Sequence, residues 1–441
     1  MTFDSNQLIE RLQHLTAGSP CRRWVVAYSG GVDSTVLLHA LAVSTYASDI
    51  IAVHIDHGLH PDSSRWEKHC RDFAGTLRVG YESRRVSKAE KMENGPESAA
   101  RSARYDAFRS FIKPGDCLLS AHHENDQAET LLLNLMRGSG PAGLAGIGSI
   151  QSFGLGQLLR PMLGVPGDAI EAYARQHGLT WVDDPSNDDS RFDRNFLRNA
   201  ILPELAARWP AVSNRLRRSA ELIGEASELL NDLADIDLKT LGEPGKLGIT
   251  RLRQLSAVRQ RNVLRRAVRL CGLPPPPATR LHQLIDELLP ARADAQPLVT
   301  WAGAEVRRFR DSLFVMPPLP DVAGDDAGML VPGTSVSLGS GLGSVSLVED
   351  GGAGIDPAQA NTGIAIRYRH GGETIRIDSR GPTRKLKTLL QEEGIVPWMR
   401  PRLPLLFAND RLLAVADLWV AVDCLASPGL KVKWFDRPAL K

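Results

Sequence analysis

Paired cysteines are missing from this sequence. Its five cysteines, Cys21, Cys70, Cys117, Cys271 and Cys424, are odd in number and far apart, and no two form a C-x-x-C pair. That excludes a disulfide framework and any recognisable zinc or iron–sulfur ligand pattern, and it fits a reducing compartment. A strong charge of either sign is missing too: 53 Lys and Arg against 51 Asp and Glu leave a net charge of +2. A polycation that binds nucleic acid through its average charge is excluded, so any RNA contact must come from local patches. Nor is there a long apolar run. The opening MTFDSNQLIERLQHL has no basic stretch leading into an uninterrupted apolar one, and later apolar stretches carry charges or prolines. The expectation is a cytoplasmic protein without membrane contact.

What is present is 441 residues, 43% hydrophobic and 24% charged, enough for two to four folded domains. Residues 1–20 read as a helix. Trp24 to Tyr28 read as a buried strand running into the glycine loop Ser29-Gly30-Gly31-Val32-Asp33-Ser34, and a helix resumes from Ser34 to Ala42. Further strands are expected at 50–55, 79–86 and 117–121, alternating with helices at 61–75, 96–111 and 126–136. This alternation predicts an α/β domain with a parallel sheet, whose ligands sit beyond the carboxyl ends of the strands. Residues 138–156 are glycine-rich and read as a nearly structureless substrate loop. A helix at 166–177 and the polar segment 181–198 complete a first domain near residue 210. Residues 211–316 read as mainly helical and arginine-rich, with Arg251, Arg253, Arg259, Arg261, Arg265, Arg266 and Arg269 close together and short strands at 297–316. The stretch 317–328 reads as a linker, and 329–441 as short strands around one helix at 383–391, a small mixed α+β domain.

The loop S-G-G-V-D-S lacks the Gly-Lys-Ser/Thr ending that reaches β- and γ-phosphates. Its backbone N–H groups and the following helix N-terminus can still hold phosphate anions, and Asp33 among them asks for a magnesium ion (Mg2+). Asp56 and His57 end the second strand, where they either line the nucleotide site or form a turn with Gly58. Arg101, Arg104 and Tyr105 share a helical face; the arginines suit phosphate or carboxylate, while the tyrosine suits a substrate contact or the core. His122, His123, Asp126 and Glu129 open a helix, either as its caps or as a pocket for a cation or a cationic substrate. Asp184, Asn187, Arg191, Arg194 and Arg198 follow, with arginines at a spacing suited to phosphates in a transition state.

These blocks closely resemble the tRNA(Ile)-lysidine synthases, a branch of the PP-loop, or N-type, ATP pyrophosphatases. The resemblance rests on Ser29 to Ser34, His54 to Leu59, Arg101 to Tyr105, Ala121 to Thr130, Arg137 to Gly146, Arg160 to Leu163 and Asp184 to Arg198, in that order. It extends to Arg384, Lys385, Lys387 and the Pro397-Trp398-Met399-Arg400 turn, and is weakest between 225 and 325. One departure is Asn125, where the family has an aspartate; an amide cannot supply its charge, so either Asp126 acts alone or position 125 is not used directly.

The resemblance implies an adenine-nucleotide α-hydrolase-like catalytic domain over 1–210 and tRNA-binding domains over 211–316 and 329–441. It implies a ligase that adenylates C2 of cytidine 34 in the CAU anticodon of tRNA(Ile) with ATP. The side-chain amine of free L-lysine then displaces AMP. Asp33, Asp126, Glu129, Arg194 and Arg198 are the expected catalytic residues, with Asp33 on the metal. Ser29 to Ser34, Asp56, His57, Arg101 and Arg104 are expected around ATP. Tyr105, His123, Arg137, Asp184, Asn187, Arg191, Arg384, Lys385 and Lys387 are expected on lysine or tRNA. No obligatory protein partner is implied. The alternatives are a tRNA thiolase with the same loop, which the lack of paired cysteines disfavours, an amide-forming ligase, which would usually bring a glutaminase domain, and a non-catalytic tRNA-binding protein.

Overall fold

Short β-branched and apolar runs, each handed on to a helix, generate the first half of the chain. In the computed structural model, residues 3–18, 21–44, 49–56, 58, 61–86, 96–292, 295–322, 326–339, 341–360 and 363–441 are described, with backbone only for 96–101 and 326. Two compact units result, Met1–Leu230 and Asn231–Lys441.

In the first unit, α1 (Ser5–Thr16) precedes β1 (Arg23–Ala27) and α2 (Val32–Ala42). Then come β2 (Ile50–Asp56), α3 (Ser63–Thr76), β3 (Gly80–Arg85), α4 (Pro96–Phe111), β4 (Asp116–Leu119) and α5 (Glu124–Met136). The strands lie parallel in the order β3-β2-β1-β4, as the alternation predicted. One face buries Val25, Val53, Leu118, Phe108 and Ile112; the other buries Trp24, Val26, Ala52 and Leu119 against α1, α2 and the helix Gly167–Gln176. Because α2 is covered on nearly all sides, its apolar residues show almost no helical periodicity, and Val36, Leu37, Leu38, Ala40 and Leu41 are all fully buried.

The stretch 138–156 is not structureless. It forms α6 (Pro141–Leu144) and β5 (Ile150–Phe153), and β6 (Gly156–Leu159) extends the sheet parallel to β4. Four-residue elements carry too little periodicity to be read, and here side chains from α5 hold them. The Gln127 amide donates to the carbonyls of Ala145 and Ile147 and accepts from Ile147 N at 2.6 Å, while Asn134 Nδ2 donates to Gly143 O at 2.8 Å. The unit continues through α7 (Gly167–Gln176), α8 (Asp193–Phe196), a π-helical turn Leu197–Ile201, α9 (Leu202–Arg208) and the start of α10 (Val212–Leu241).

In the second unit the arginines of helix Ala257–Leu270 are largely consumed by structure. Arg259 pairs with the buried Asp237, Arg266 forks onto Asp235 at 2.7–2.8 Å, and Arg269 reaches Asn231. An arginine-rich run is thus in good part a zipper between two helices, and only some of its charge is left for RNA. A five-stranded antiparallel sheet covers this helical layer, with strands Leu298–Trp301, Ala304–Phe309 and Ser312–Met316 where short strands were expected. Two more five-stranded sheets enclose the carboxyl-terminal core around Leu389, Leu390, Ile395 and Met399. The helix expected from 383 begins only at Leu386. The backbone of Arg384 and Lys385 is instead extended and pairs with Ile375 and Thr374. No helix among the described residues is long and apolar enough to cross a membrane.

Gly156 marks how closely β6 approaches β4, since a Cβ there would lie 2.3 Å from the Asp116 carbonyl oxygen and 2.9 Å from Ile112 Cγ2. Gly156→Ala is expected to cost about 1–3 kcal/mol through forced backbone displacement, read as a lower urea midpoint. An unchanged midpoint would show that the strand can move away freely.

Candidate active site

β1 delivers the chain to Ser29, and Gly30 turns it with φ +91°, a region that strongly favours glycine. A side chain at Gly30 would also strike Cys70 Sγ at 2.8 Å. The Gly30 carbonyl accepts from Val182 N at 2.9 Å and from Thr35 Oγ1 at 3.3 Å. Ser29 and Ser34 join their hydroxyls at 3.1 Å, and Ser34 Oγ also donates to Gly31 O. Beneath the loop lies a buried layer in which His54 Nδ1 meets Tyr28 O at 3.0 Å and stands 3.6 Å from Cys70 Sγ. With its carbonyls and hydroxyls tied back, the loop turns the first N–H groups of α2, at Val32, Asp33 and Ser34, outward without intrahelical acceptors. That is an anion cradle.

Across from it, His123 caps α5. Its Nδ1 accepts from Asn125 N at 3.3 Å, and its backbone N–H donates to Asp126 Oδ2 at 2.9 Å. Because Nδ1 is an acceptor, the neutral ring carries its proton on Nε2, which stands 3.7 Å from Asp33 Oδ2 and 3.6 Å from Asp126 Oδ2. Of the two readings of this segment, the structure shows the capping one. Asn125 turns aside: its amide nitrogen lies 3.1 Å from the position a Cβ on Gly167 would take, against the start of α7. The departure from the family pattern therefore falls on a side chain that packs on α7.

Asp126 and Glu129 do not wait for a substrate amine in this structure. Arg194 donates to Glu129 Oε2 at 2.7 Å and Asp126 Oδ1 at 3.0 Å; Arg198 donates to both Glu129 oxygens at 2.6 and 3.1 Å and to Asp126 Oδ1 at 3.3 Å. The Glu129 side chain is 0% exposed. The carboxylates expected on lysine and the arginines expected on phosphate are thus partners of one another. Both guanidinium groups bind through Nε and Nη2, which leaves the Nη1 amino groups over for a ligand.

Burial alone would raise Asp126, but His123, His122, Arg194 and the His123 N–H outweigh it and hold this carboxyl below the usual carboxylate range. Asp33 goes the other way. Burial, with Asp126 as a neighbouring charge, pushes its carboxyl up despite His123 and Arg198. Three carboxylates against two guanidinium groups leave one negative charge over in this cleft. Among the described residues no group of three or more His, Cys, Asp or Glu forms a metal cage. Asp33 fits a cation held by one carboxylate together with substrate phosphates, the arrangement magnesium favours.

The remaining expected residues divide. Asp56 ends β2 with Oδ1 on Gly58 N at 2.7 Å and Oδ2 facing Arg85 at 3.2 Å, so the turn with Gly58 exists. His57 and the Arg101 side chain lie outside the described residues. Arg104 is half-buried on α4, and Tyr105 packs edge-on against Phe153 at 5.8 Å, a core contact. Asp184 caps a short turn through Ser186 N, Asn187 O accepts from Asn199 Nδ2 at 3.0 Å, and Arg191 forks onto Asp189. Arg137 is exposed and 3.9 Å from Asp193. Arg384 pairs with Glu392, while Lys385 and Lys387 are exposed in the second unit. Sequence reasoning assigned nothing to Glu124, buried at the start of α5 and bonded to Asn214 Nδ2 at 3.0 Å, or to Gln127. Glu124 sits at a position the family pattern leaves open, and no local signal marks it.

The cysteines give a sulfur pathway little support. Burial pushes the Cys70 thiol up to about 12, and its side chain is sealed under Gly30. Cys21, whose thiol donates to Arg23 O at 3.1 Å, and Cys117 lie at the amino ends of β1 and β4, away from the loop.

Family profiles match in three places: the PP-loop domain over residues 4–205, the TilS substrate binding domain over 247–314 and the TilS substrate C-terminal domain over 364–434. A tRNA(Ile)-lysidine synthase of Pectobacterium atrosepticum is 40% identical over 422 residues, covering 95% of each chain. The chain belongs to the tRNA(Ile)-lysidine synthase family. A tRNA(Ile)-lysidine synthase of Alkalilimnicola ehrlichii is likewise 40% identical with 95% of both chains covered, and one of Methylococcus capsulatus is 38% identical over 93% of this chain. An ATP-binding PP-loop domain, a helical middle region and a mixed α+β end are thus the family's arrangement.

The direction of the Asp33 shift gives a test. A carboxyl whose folded pKa is raised binds its proton more tightly in the folded state, so its ionisation costs stability as pH rises through that value. Asp33→Asn is therefore expected to raise the thermal midpoint at pH 7 and to lose that advantage at pH 3, while abolishing turnover. A midpoint lowered at pH 7 would show that His123 and Arg198 already compensate the charge.

Proposed function

We propose that this chain joins the side-chain amine of L-lysine to C2 of cytidine 34 in the CAU anticodon of tRNA(Ile), using ATP and releasing AMP and pyrophosphate. The observation that carries this is the meeting of the phosphate loop, the His123–Asp126–Glu129 helix and the Arg194–Arg198 segment in one cleft. These are the blocks by which the sequence resembles the family.

The N–H groups of Val32, Asp33 and Ser34 hold phosphate oxygens of ATP, and the C2 oxygen of cytidine attacks the α-phosphorus. The phosphorus–oxygen bond to pyrophosphate breaks. Charge that develops on the departing group meets the Nη1 donors of Arg194 and Arg198, kept rigid by Glu129. Asp33 would hold magnesium, which supplies charge neutralisation for the phosphates. The neutral lysine amine then attacks C2, and AMP leaves with the C2 oxygen. The net negative charge of the cleft attracts the lysine ammonium. The amine must lose a proton before it attacks, and Asp126 or Glu129 is the carboxylate proposed to bind or receive it. Asp56, His57, Arg101 and Arg104 belong to the nucleotide side of this proposal; Tyr105, His123, Arg137, Asp184, Asn187 and Arg191 belong to the base and lysine side. The proposed division of labour places catalysis in 1–210 and tRNA docking in 211–316 and 329–441, with 317–328 between them.

Purified protein mixed with ATP, labelled lysine and tRNA(Ile) should incorporate label, and replacing cytidine 34 should abolish incorporation. Incorporation that survives this replacement rejects the substrate. Asp33→Ala should stop AMP formation while keeping most tRNA affinity; normal AMP release would remove Asp33 from the chemistry. Replacing Arg384, Lys385 and Lys387 together should weaken tRNA binding and flatten its salt dependence by up to about 3 in the log–log slope. The pairing of Arg384 with Glu392 makes the two lysines the larger part of that effect.

A further inference from the structure

Apolar rings are rarely left in water without a reason, and here they are concentrated. Among the described residues four Phe or Trp side chains are exposed: Phe192 (37%), Phe196 (45%), Trp209 (48%) and Phe435 (48%). Three of them fall between positions 192 and 209. By contrast, Phe108, Phe153 and Phe314 are at most 5% exposed. Phe196 N donates to Phe192 O at 2.9 Å, so Phe192 caps the turn that Phe196 ends and the two exposed rings stand at either end of one helical turn. Arg194 and Arg198 instead reach Asp126 and Glu129. The rings therefore lie on the outer side of the segment whose arginines complete the candidate active site, and take no part in its ion pairs.

Charge flanks the rings as well. The Arg191 side chain is 87% exposed and holds Asp189 at 2.6 Å, and Arg137 is 65% exposed and reaches Asp193 at 3.9 Å. The long Arg137 contact is weak and readily exchanged for another anion, while Arg191, forked on Asp189 through Nε and Nη2, has its Nη1 left over for one. Rings interleaved with exchangeable arginines are what unstacked nucleotides bind, because every base offers a π-face and every linkage a phosphate.

We propose that Phe192 and Phe196 form a stacking platform for the anticodon-loop bases beside the one entering the cleft, with Arg137 and Arg191 on the intervening phosphates. This rests on the reading of the chain as a lysidine-forming enzyme. A base drawn out of its loop loses its stacking neighbours, and so do the bases it leaves behind. The platform replaces that stacking on the protein side, which favours the opened loop over the closed one.

The test uses the full chain and a tRNA(Ile) anticodon stem–loop, with Kd read by fluorescence anisotropy and lysidine formation followed in parallel. Phe192→Ala and Phe196→Ala should each raise Kd by about tenfold, with the salt slope unchanged because no phosphate contact is lost. Phe→Tyr at either position should restore binding, and Phe→Leu should not. Arg137→Gln with Arg191→Gln should lower the slope by about 2. Leucine variants that bind as tightly as the parent would show an apolar cover and overturn the platform. So would variants that lose self-association in place of RNA affinity, which would assign this face to a second copy of the chain. A parent protein that binds the stem–loop yet makes no lysidine in full-length tRNA(Ile) overturns the functional reading alone; one that binds neither RNA overturns both.

Discussion

A carboxylate with no solvent exposure, Glu129, holds two arginines from a segment more than sixty positions downstream, and the cleft is arranged around that contact. An ionised side chain in such a place is strongly unfavourable unless it is paired and hydrogen-bonded. Glu129 meets this condition with both oxygens occupied by guanidinium donors. Because the buried Glu129 is not tolerable alone, losing the arginines of the 193–198 segment would be strongly destabilising, which ties that segment to helix α5. Asp126 shares both arginines and also caps its own helix, which ties His123 into the same set.

The phosphate loop is held by a different principle. Its carbonyls and hydroxyls are bonded back to Thr35, Val182 and each other, and its underside rests on Cys70 with no room for a side chain at Gly30. Restraining the acceptors leaves the donors facing one way. Asp33 is then the one acid of the three without an arginine at hydrogen-bonding distance, which is why its ionisation is the uncomfortable one. The cation proposed at Asp33 would relieve that cost.

Much of this was legible in the sequence because strands alternate with helices and the blocks fall at the strand ends. The parallel order and the meeting of Ser29–Ser34 with His123 and Asp126 follow from that rule. Charge pairing was not legible. Nothing local in Asp126, Glu129, Arg194 and Arg198 says that they bind one another, since a side chain's partner is a property of the folded chain; the same holds for Arg259 and Arg266, which looked like RNA ligands and hold Asp237 and Asp235. The elements within 138–156 were missed because Gln127 and Asn134 specify them from outside the segment. For Asn125 two readings were open, Asp126 acting alone or a position not used directly, and its amide against Gly167 is compatible with the second.

The bond from Val182 N to Gly30 O also sets an order in time. The glycine loop is made some 150 positions before the residue that closes it, and the arginines that complete the cleft follow that residue. At a synthesis rate of about 5–20 residues per second, the growing chain carries an unfinished loop for on the order of ten seconds or more. During that interval the sheet can form while ATP has no finished cradle to enter. Nucleotide binding is therefore a late acquisition of the nascent domain, and the capacity to consume ATP arrives together with the groups that direct it.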